Sequence, residues 1–200
     1  MAISKVSICN LALSTYLGKA RINAITEPSS SAQQCELHYD MVRQELLSEW
    51  PWSFAIRRQA LAAMAVNDQE EWLVKYVIPA NALRINWVNE PYASKQAILD
   101  REVYDTPRKV ENGFIYADLE AAQAEFVLDV DDPTVYPPKF VQAFAALLAS
   151  RMAIPLTETA QKMQAAMDAY AMYLDEAKVN DIQLEEPIRV IQNRDYTEVR

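Results

Sequence analysis

The sequence predicts an α+β protein, in which an antiparallel four-helix bundle carries a small antiparallel β module between helices two and three and an extended C-terminal arm. Apolar residues recur at steps of three and four towards both ends of the chain, which is typical of amphipathic helices. In the middle the period becomes two, which is typical of strands. We assign residues 1–52 and 134–182 to the bundle, 53–133 to the β module and 183–200 to the arm.

The first two helices are predicted from their caps and apolar faces. Ser4 is a suitable N-cap for a helix ending at Leu17, and Gly18 is placed to terminate it. The second helix starts at the serine run and ends at Pro51, because proline cannot donate the next helical hydrogen bond. Its apolar face consists of Cys35, Tyr39, Val42, Leu46 and Trp50.

An aromatic group, Trp50, Trp52 and Phe54, follows the second helix, and we interpret it as the connection between the bundle and the β module. Strands are predicted by alternation within 72–78, 83–87 and 126–130. Asn112-Gly113 predicts a hairpin between 108–111 and 114–117, because both turn residues tolerate a positive φ.

The third helix is predicted to follow Pro138 and to end at Pro155. Its buried stripe is expected to contain Phe140, Phe144, Leu147 and Leu148. The fourth helix begins after Thr157, and its seam is predicted to comprise Ala160, Met163, Met167, Tyr170, Leu174 and Ala177. No stretch reaches eighteen uninterrupted apolar residues, so we expect a soluble protein with no membrane contact.

Composition limits the possible functions. The chain of 200 residues has only two glycines, which argues against a glycine-rich phosphate-binding loop. Its net charge of −9 argues against a nucleic-acid clamp, because binding phosphates requires clustered Lys and Arg. An acidic surface is compatible with a wall past which DNA slides without adhering.

Few residues suggest catalysis or metal binding. His38 and Cys35 are spaced as two metal ligands would be, but no second ligand cluster accompanies them. We therefore expect core packing there, and reduced thiols at Cys9 and Cys35, with a disulfide left open. Three acidic groups, Glu70-Glu71, Asp129 with Asp131 and Asp132, and Glu185-Glu186, could each be drawn as a catalytic pair, but carboxylates are abundant in this chain. The group at Asp129–Asp132 is typical of a solvated turn. We expect no catalytic residue, cofactor or metal.

Several segments in a fixed order resemble the head-to-tail adaptors of tailed bacteriophages, specifically the tail tubular protein A family of short-tailed phages. An opening helix with Asn10–Ser14 precedes the two most specific segments, Y-D-x-V-R-x-E-L-L (Tyr39–Leu47) and P-W-S-F-A (Pro51–Ala55). Tyr76–Leu83, Phe140–Ala153 and Pro155–Thr157 are similar to the same family. The resemblance covers about residues 5–180.

The resemblance implies a non-enzymatic virion protein, assembled in the host cytoplasm and located in the tail or neck. Members of this family form a ring, commonly of twelve copies, that connects the portal protein to the tail nozzle protein and encloses the DNA channel. DNA then passes through the channel without sequence-specific binding.

The C-terminal arm contains one alternating patch, at Ile188, Val190, Ile191 and Gln192, with no predicted partner face. We expect these residues to bind a neighbouring protein, because unpaired extended segments often add a strand to another chain.

Two other functions are considered. A small tail-associated hydrolase would need two carboxylates facing each other across a cleft. A soluble ligand-binding module would need a sizeable apolar pocket.

Overall fold

The computed structural model describes residues 3–91 and 106–185. Within these ranges there are four main helices and two three-stranded antiparallel sheets. The helices are α1 (Lys5–Leu11), which continues as a π-helix over Ala12–Leu17, α2 (Ser30–Glu49), α3 (Pro138–Thr157) and α4 (Ala160–Glu185). The strands are β1 (Ile56–Ala60), β2 (Val74–Val77), β3 (Ala82–Asn89), β4 (Arg108–Glu111), β5 (Phe114–Ala117) and β6 (Gln123–Leu128).

The start and end of the first helical segment follow from local chemistry. The Ser4 hydroxyl accepts a hydrogen bond from the Ser7 amide, and the Ser7 side chain accepts one from the Ser4 amide. These two bonds satisfy amides that lack intrahelical partners. Gly18 has φ +62° and ends the segment in the left-handed conformation that glycine adopts without strain.

The predicted four-helix bundle is wrong, because α3 lies at the centre of the helical part instead of sharing a common core with equal partners. The other helices, α1, α2 and α4, pack against α3. Side chains on every side of α3 are buried, including all of Ala143–Ser150. A bundle helix buries one stripe, whereas a helix that is apolar all round is enclosed by its neighbours. The single stripe predicted for α3 therefore underestimated its burial.

The β region differs from the predicted inserted module as well. One sheet has the order β1-β6-β3 and the other has the order β2-β5-β4. Successive side chains on β6 point in opposite directions, so Val127 joins the helical core while Phe126 joins a second core between the sheets. The first sheet is thus a layer shared by both cores.

The Asn112-Gly113 hairpin is confirmed. These residues have φ values of +51° and +80° and join β4 to β5 in antiparallel register. In contrast, β1 was not predicted, because Ile56–Ala60 contains two arginines and a glutamine and exposes most of its side chains. Pairing with β6 alone defines it as a strand.

The ends of the last two helices differ from the predicted ones. Pro155 lies inside α3, which continues to Thr157 and ends at Glu158 with φ +55°. Along α4, Ala166, Leu174 and Ala177 are buried, but Met167 from the predicted seam is 37% exposed. The helix extends to Glu185, three residues into the segment assigned to the arm.

Helix α3 has the length and apolar composition of a membrane span. In this fold 72% of its most apolar window is buried inside the protein. Its apolar side chains are therefore in contact with other parts of the chain.

Candidate functional site

The segment after α2 is held by a cluster of aromatic rings. The Phe140 ring centroid lies 5.0 Å from those of Trp52, Phe54 and Tyr136. Trp52 is 1% exposed, and its indole Nε1 donates a hydrogen bond of 2.8 Å to the Leu46 carbonyl. The cluster therefore packs the P-W-S-F-A segment, with Trp52 buried, against α3.

A buried carboxylate, that of Asp181 on α4, contacts the same segment. It is 3% exposed and accepts hydrogen bonds from the Ser53 amide at 3.1 Å and the Ser53 hydroxyl at 2.7 Å. The Trp50 indole Nε1 donates to it at 3.3 Å. These donors compensate for the burial of the charge and fasten the end of α4 to the connection between α2 and β1.

An ion-pair network surrounds Arg43 of α2. The Arg43 guanidinium, on a residue that is 5% exposed, donates from Nε to Asp129 at 2.8 Å. Its Nη1 donates to Asp40 and to Asp131, both at 2.6 Å. Lys5 adds an ion pair of 2.8 Å with Asp131. The network thus joins α1 and α2 to the segment that follows β6.

The charge state of Asp129 is set by this network. Burial alone would raise the pKa of its carboxyl, but hydrogen bonds from Arg43 and Gln44 outweigh burial and lower the pKa below its ordinary value. The carboxylate therefore stays ionised and bound to Arg43. All three guanidinium nitrogens of Arg43 donate to carboxylates, so the network holds α2 and the segment after β6 together.

A groove of about 260 Å³ lies on the side of the β1-β6-β3 sheet that also carries Val127, beside the connection between α2 and β1. Its walls include Pro51 and Ile56, and its polar residues are Arg58, Arg84, Asn86 and Glu125. We call it the junction groove. It contains one carboxylate, that of Glu125, which is 6% exposed and accepts from Arg58 Nε at 2.7 Å.

A second groove, of about 420 Å³, lies on α4 beside the start of α3. Its two carboxylates, Asp175 and Glu176, are neighbours on one helix, and Glu176 is paired with Lys139. In these two grooves, carboxylates do not face each other across a cleft as a hydrolase would need.

Cys35 and His38 occupy different environments. The Cys35 thiol donates to the Met152 sulfur at 3.7 Å, and its hydrogen bond with Cys9, together with burial, raises the pKa of the Cys9 thiol. Burial and the positive charge of Arg151 lower the pKa of His38. Both cysteines are free thiols. Within residues 3–91 and 106–185, no three His, Cys, Asp or Glu side chains are grouped to hold a metal ion.

The other candidates are dispersed. Asp129 and Asp131 belong to the Arg43 network, whereas Glu70 and Glu71 are exposed in the loop before β2. The predicted partner-binding residues Ile188, Val190, Ile191 and Gln192 lie outside the described residues, as does Glu186.

Sequence reasoning missed Arg43, Asp181 and the junction groove. Asp181 continues the spacing of Leu174 and Ala177 on the buried face of α4, so helical period would have indicated a buried carboxylate. Arg43 directly follows Val42 on the border of the apolar face, which is a weaker signal. No sequence signal indicated the junction groove, because its side chains come from three strands and a loop that are distant in sequence.

Comparison with known proteins gives no family assignment, because no family model matches the chain and a search of curated proteins finds no significant match.

Proposed function

We propose that this chain is a non-enzymatic structural protein of a phage virion, a head-to-tail adaptor similar to the tail tubular protein A family. In this proposal several copies form a ring that connects the portal protein to the tail nozzle protein and encloses the DNA channel. One observation supports the proposal: the two most specific resembling segments lie in the same region of the fold. There they connect α2 to α3, to α4 and to the segment after β6, and we call this set of contacts the joint.

The Y-D-x-V-R segment contributes Tyr39 and Arg43 to this joint. The Tyr39 ring lies 4.9 Å from Phe144 on α3, and Arg43 binds Asp129 beyond β6. Asp40, also in the segment, shares the same guanidinium. The residues that carry the resemblance therefore act in packing and bracing, as expected of a structural subunit.

The P-W-S-F-A segment acts in the same region. Trp52 and Phe54 contact Phe140 of α3, while Ser53 binds Asp181 of α4. Two short sequence segments thus fasten α3, α4 and the first sheet to the end of α2. A subunit that carries load between a portal and a tail needs this kind of rigid connection.

The net negative charge of the chain also supports a role in a channel for DNA. The net charge of −9 would repel DNA at most points of a channel wall and let it pass without adhering. In the family it resembles, the ring commonly contains twelve copies, and we propose a ring of this kind, assembled in the host cytoplasm and located in the neck of the virion.

Native mass spectrometry tests this function. The full chain is measured alone and after mixing with the portal protein encoded in the same genome. We expect a complex containing the portal ring and multiple copies of the chain. A chain that stays monomeric in both samples, while the portal ring is intact, would contradict the proposal.

A further inference from the structure

The junction groove has local positive charge on an acidic protein. Arg58 and Arg84 line it together with a single carboxylate, Glu125, so these three groups sum to a charge of +1. The Glu125 carboxylate accepts a hydrogen bond from Arg58 Nε, and the Arg58 side chain itself is 64% exposed. A net positive groove on a chain of net charge −9 favours an acidic partner.

Arg84 is available for such a partner. It is exposed on β3 at the edge of the groove, and no ion pair connects it to another residue in the described part of the chain. A guanidinium presents donors in a planar fork that matches a carboxylate. Arg84 is therefore the primary candidate for binding a carboxylate.

Asn86 has a side-chain oxygen that a hydrogen-bond donor of a ligand could satisfy. Its Nδ2 donates to Glu125 at 2.9 Å, and turning the amide round would place two acceptors against each other, so this contact fixes the orientation of the amide. The other amide atom, Oδ1, is buried and receives no hydrogen bond within the described residues. A ligand that suits the groove thus offers an N–H donor as well as an anion.

We propose that the junction groove binds an extended acidic peptide segment of another protein. An Asp or Glu side chain of that segment would pair with Arg84, and a peptide N–H would donate to Asn86 Oδ1. The phosphodiester backbone of nucleic acid fits these residues less well, because it has no N–H donor for Asn86 Oδ1. The groove would bind such a peptide whether or not the protein is an adaptor.

Fluorescence anisotropy on the full chain tests this inference. The probe is a fluorescein-labelled peptide of alternating glycine and glutamate at low ionic strength, and the matched peptide has glutamine in place of glutamate. We expect saturable binding of the acidic peptide and about tenfold weaker binding of the glutamine peptide. Absence of binding by the acidic peptide, or equal binding of both, would overturn the proposal.

Two competitors separate the possible sources of the anion. Inorganic phosphate and a single-stranded oligonucleotide are each added to the bound peptide. We expect neither to displace it at concentrations where unlabelled acidic peptide does. Displacement by the oligonucleotide at a lower concentration than the unlabelled peptide would mean that the groove binds nucleic acid. Displacement by phosphate would mean that it binds any small anion. Either result would overturn the proposal.

Matched substitutions locate the site. Arg84→Gln should weaken peptide binding about tenfold, whereas Arg21→Gln, the same charge change at an exposed residue outside the groove, should leave it unchanged. Titration with unlabelled peptide should also shift the NMR signals of the Asn86 side-chain amide. Equal weakening in both variants, or unchanged Asn86 signals, would show that binding is non-specific.

Discussion

Arg43 of α2 donates two hydrogen bonds to the Asp129 carboxylate beyond β6, from Nε at 2.8 Å and from Nη2 at 3.0 Å. The two residues are 86 positions apart in the chain. The Arg43 side chain is 6% exposed and that of Asp129 is 17% exposed, so water screens the pair only partly. This contact therefore couples the helical layer to the shared sheet.

Substituting Asp129 tests the strength of this coupling. Asp129→Asn removes the charge and one paired acceptor, and we expect the free energy of unfolding to fall by about 1–3 kcal/mol at pH 7. The matched control is Asp132→Asn, because among the described residues the exposed Asp132 carboxylate accepts only from Thr134. Urea unfolding should show a much smaller change for the control. Equal changes would mean that general charge, and not the Arg43 contact, is responsible.

The pH dependence of the same variant follows from the lowered pKa of Asp129. The ordinary pKa of an Asp carboxyl is 3.8. Because the folded-state pKa is lower, the stabilisation is fully present above the unfolded value and is lost as the pH falls through the folded value. We expect the stability difference between the wild type and Asp129→Asn to shrink below about pH 4. A difference that stays constant on acidification, measured by urea unfolding, would contradict this.

Trp52 tests the aromatic cluster. Trp52→Ala removes a side chain that is 1% exposed and packs on Phe140, so we expect a loss of about 3–5 kcal/mol in the free energy of unfolding. Trp52→Phe keeps a ring but leaves the Leu46 carbonyl without its donor, and should cost about 1–3 kcal/mol. Denaturant unfolding measures both. A negligible effect of the alanine variant would show that the cluster does not hold the joint.

Asp181 tests how α4 is attached. The Asp181 carboxylate accepts from Ser53 and Trp50. In Asp181→Asn one of its oxygens is replaced by an NH₂ group, which faces these donors and cannot accept from them. We therefore expect the free energy of unfolding to fall by about 1–3 kcal/mol. Hydrogen exchange should become faster in the last turns of α4. Asp175→Asn, an exposed change on the same helix, serves as the control. The same acceleration in the control would argue against a specific role for Asp181.

The predicted arm can be tested by the triple substitution of Ile188, Val190 and Ile191 by alanine, which keeps every charge. If these residues bind a neighbouring protein, docking to the portal ring should weaken, as measured by native mass spectrometry. Val199→Ala serves as the control outside the predicted patch. Full-strength docking of the triple variant would remove the arm from the interface.

Features set by a few adjacent residues could be predicted from the sequence. Ser4, Gly18 and the Asn112-Gly113 turn act through their own backbone geometry, and the structure contains each where the pattern indicated it. The order of helices and strands depends on the same local signals, although β1 was missed.

The arrangement of those elements could not be predicted, because it depends on contacts distant in sequence. The single apolar stripe expected on α3 gave no indication that the whole helix is enclosed. The predicted four-helix bundle was therefore wrong. Likewise, the alternation of Phe126 and Val127 shows that β6 has two faces, but not that both of them are covered. The Arg43 network and the junction groove also form only after the sheets and helices have packed.

Electron cryomicroscopy of the full chain mixed with the portal protein of the same genome tests most directly whether this chain forms a ring between portal and tail. We expect a ring of the chain coaxial with the portal, with a central channel wide enough for duplex DNA. Single copies bound away from the portal axis, or a portal ring without any copy of the chain, would contradict the account.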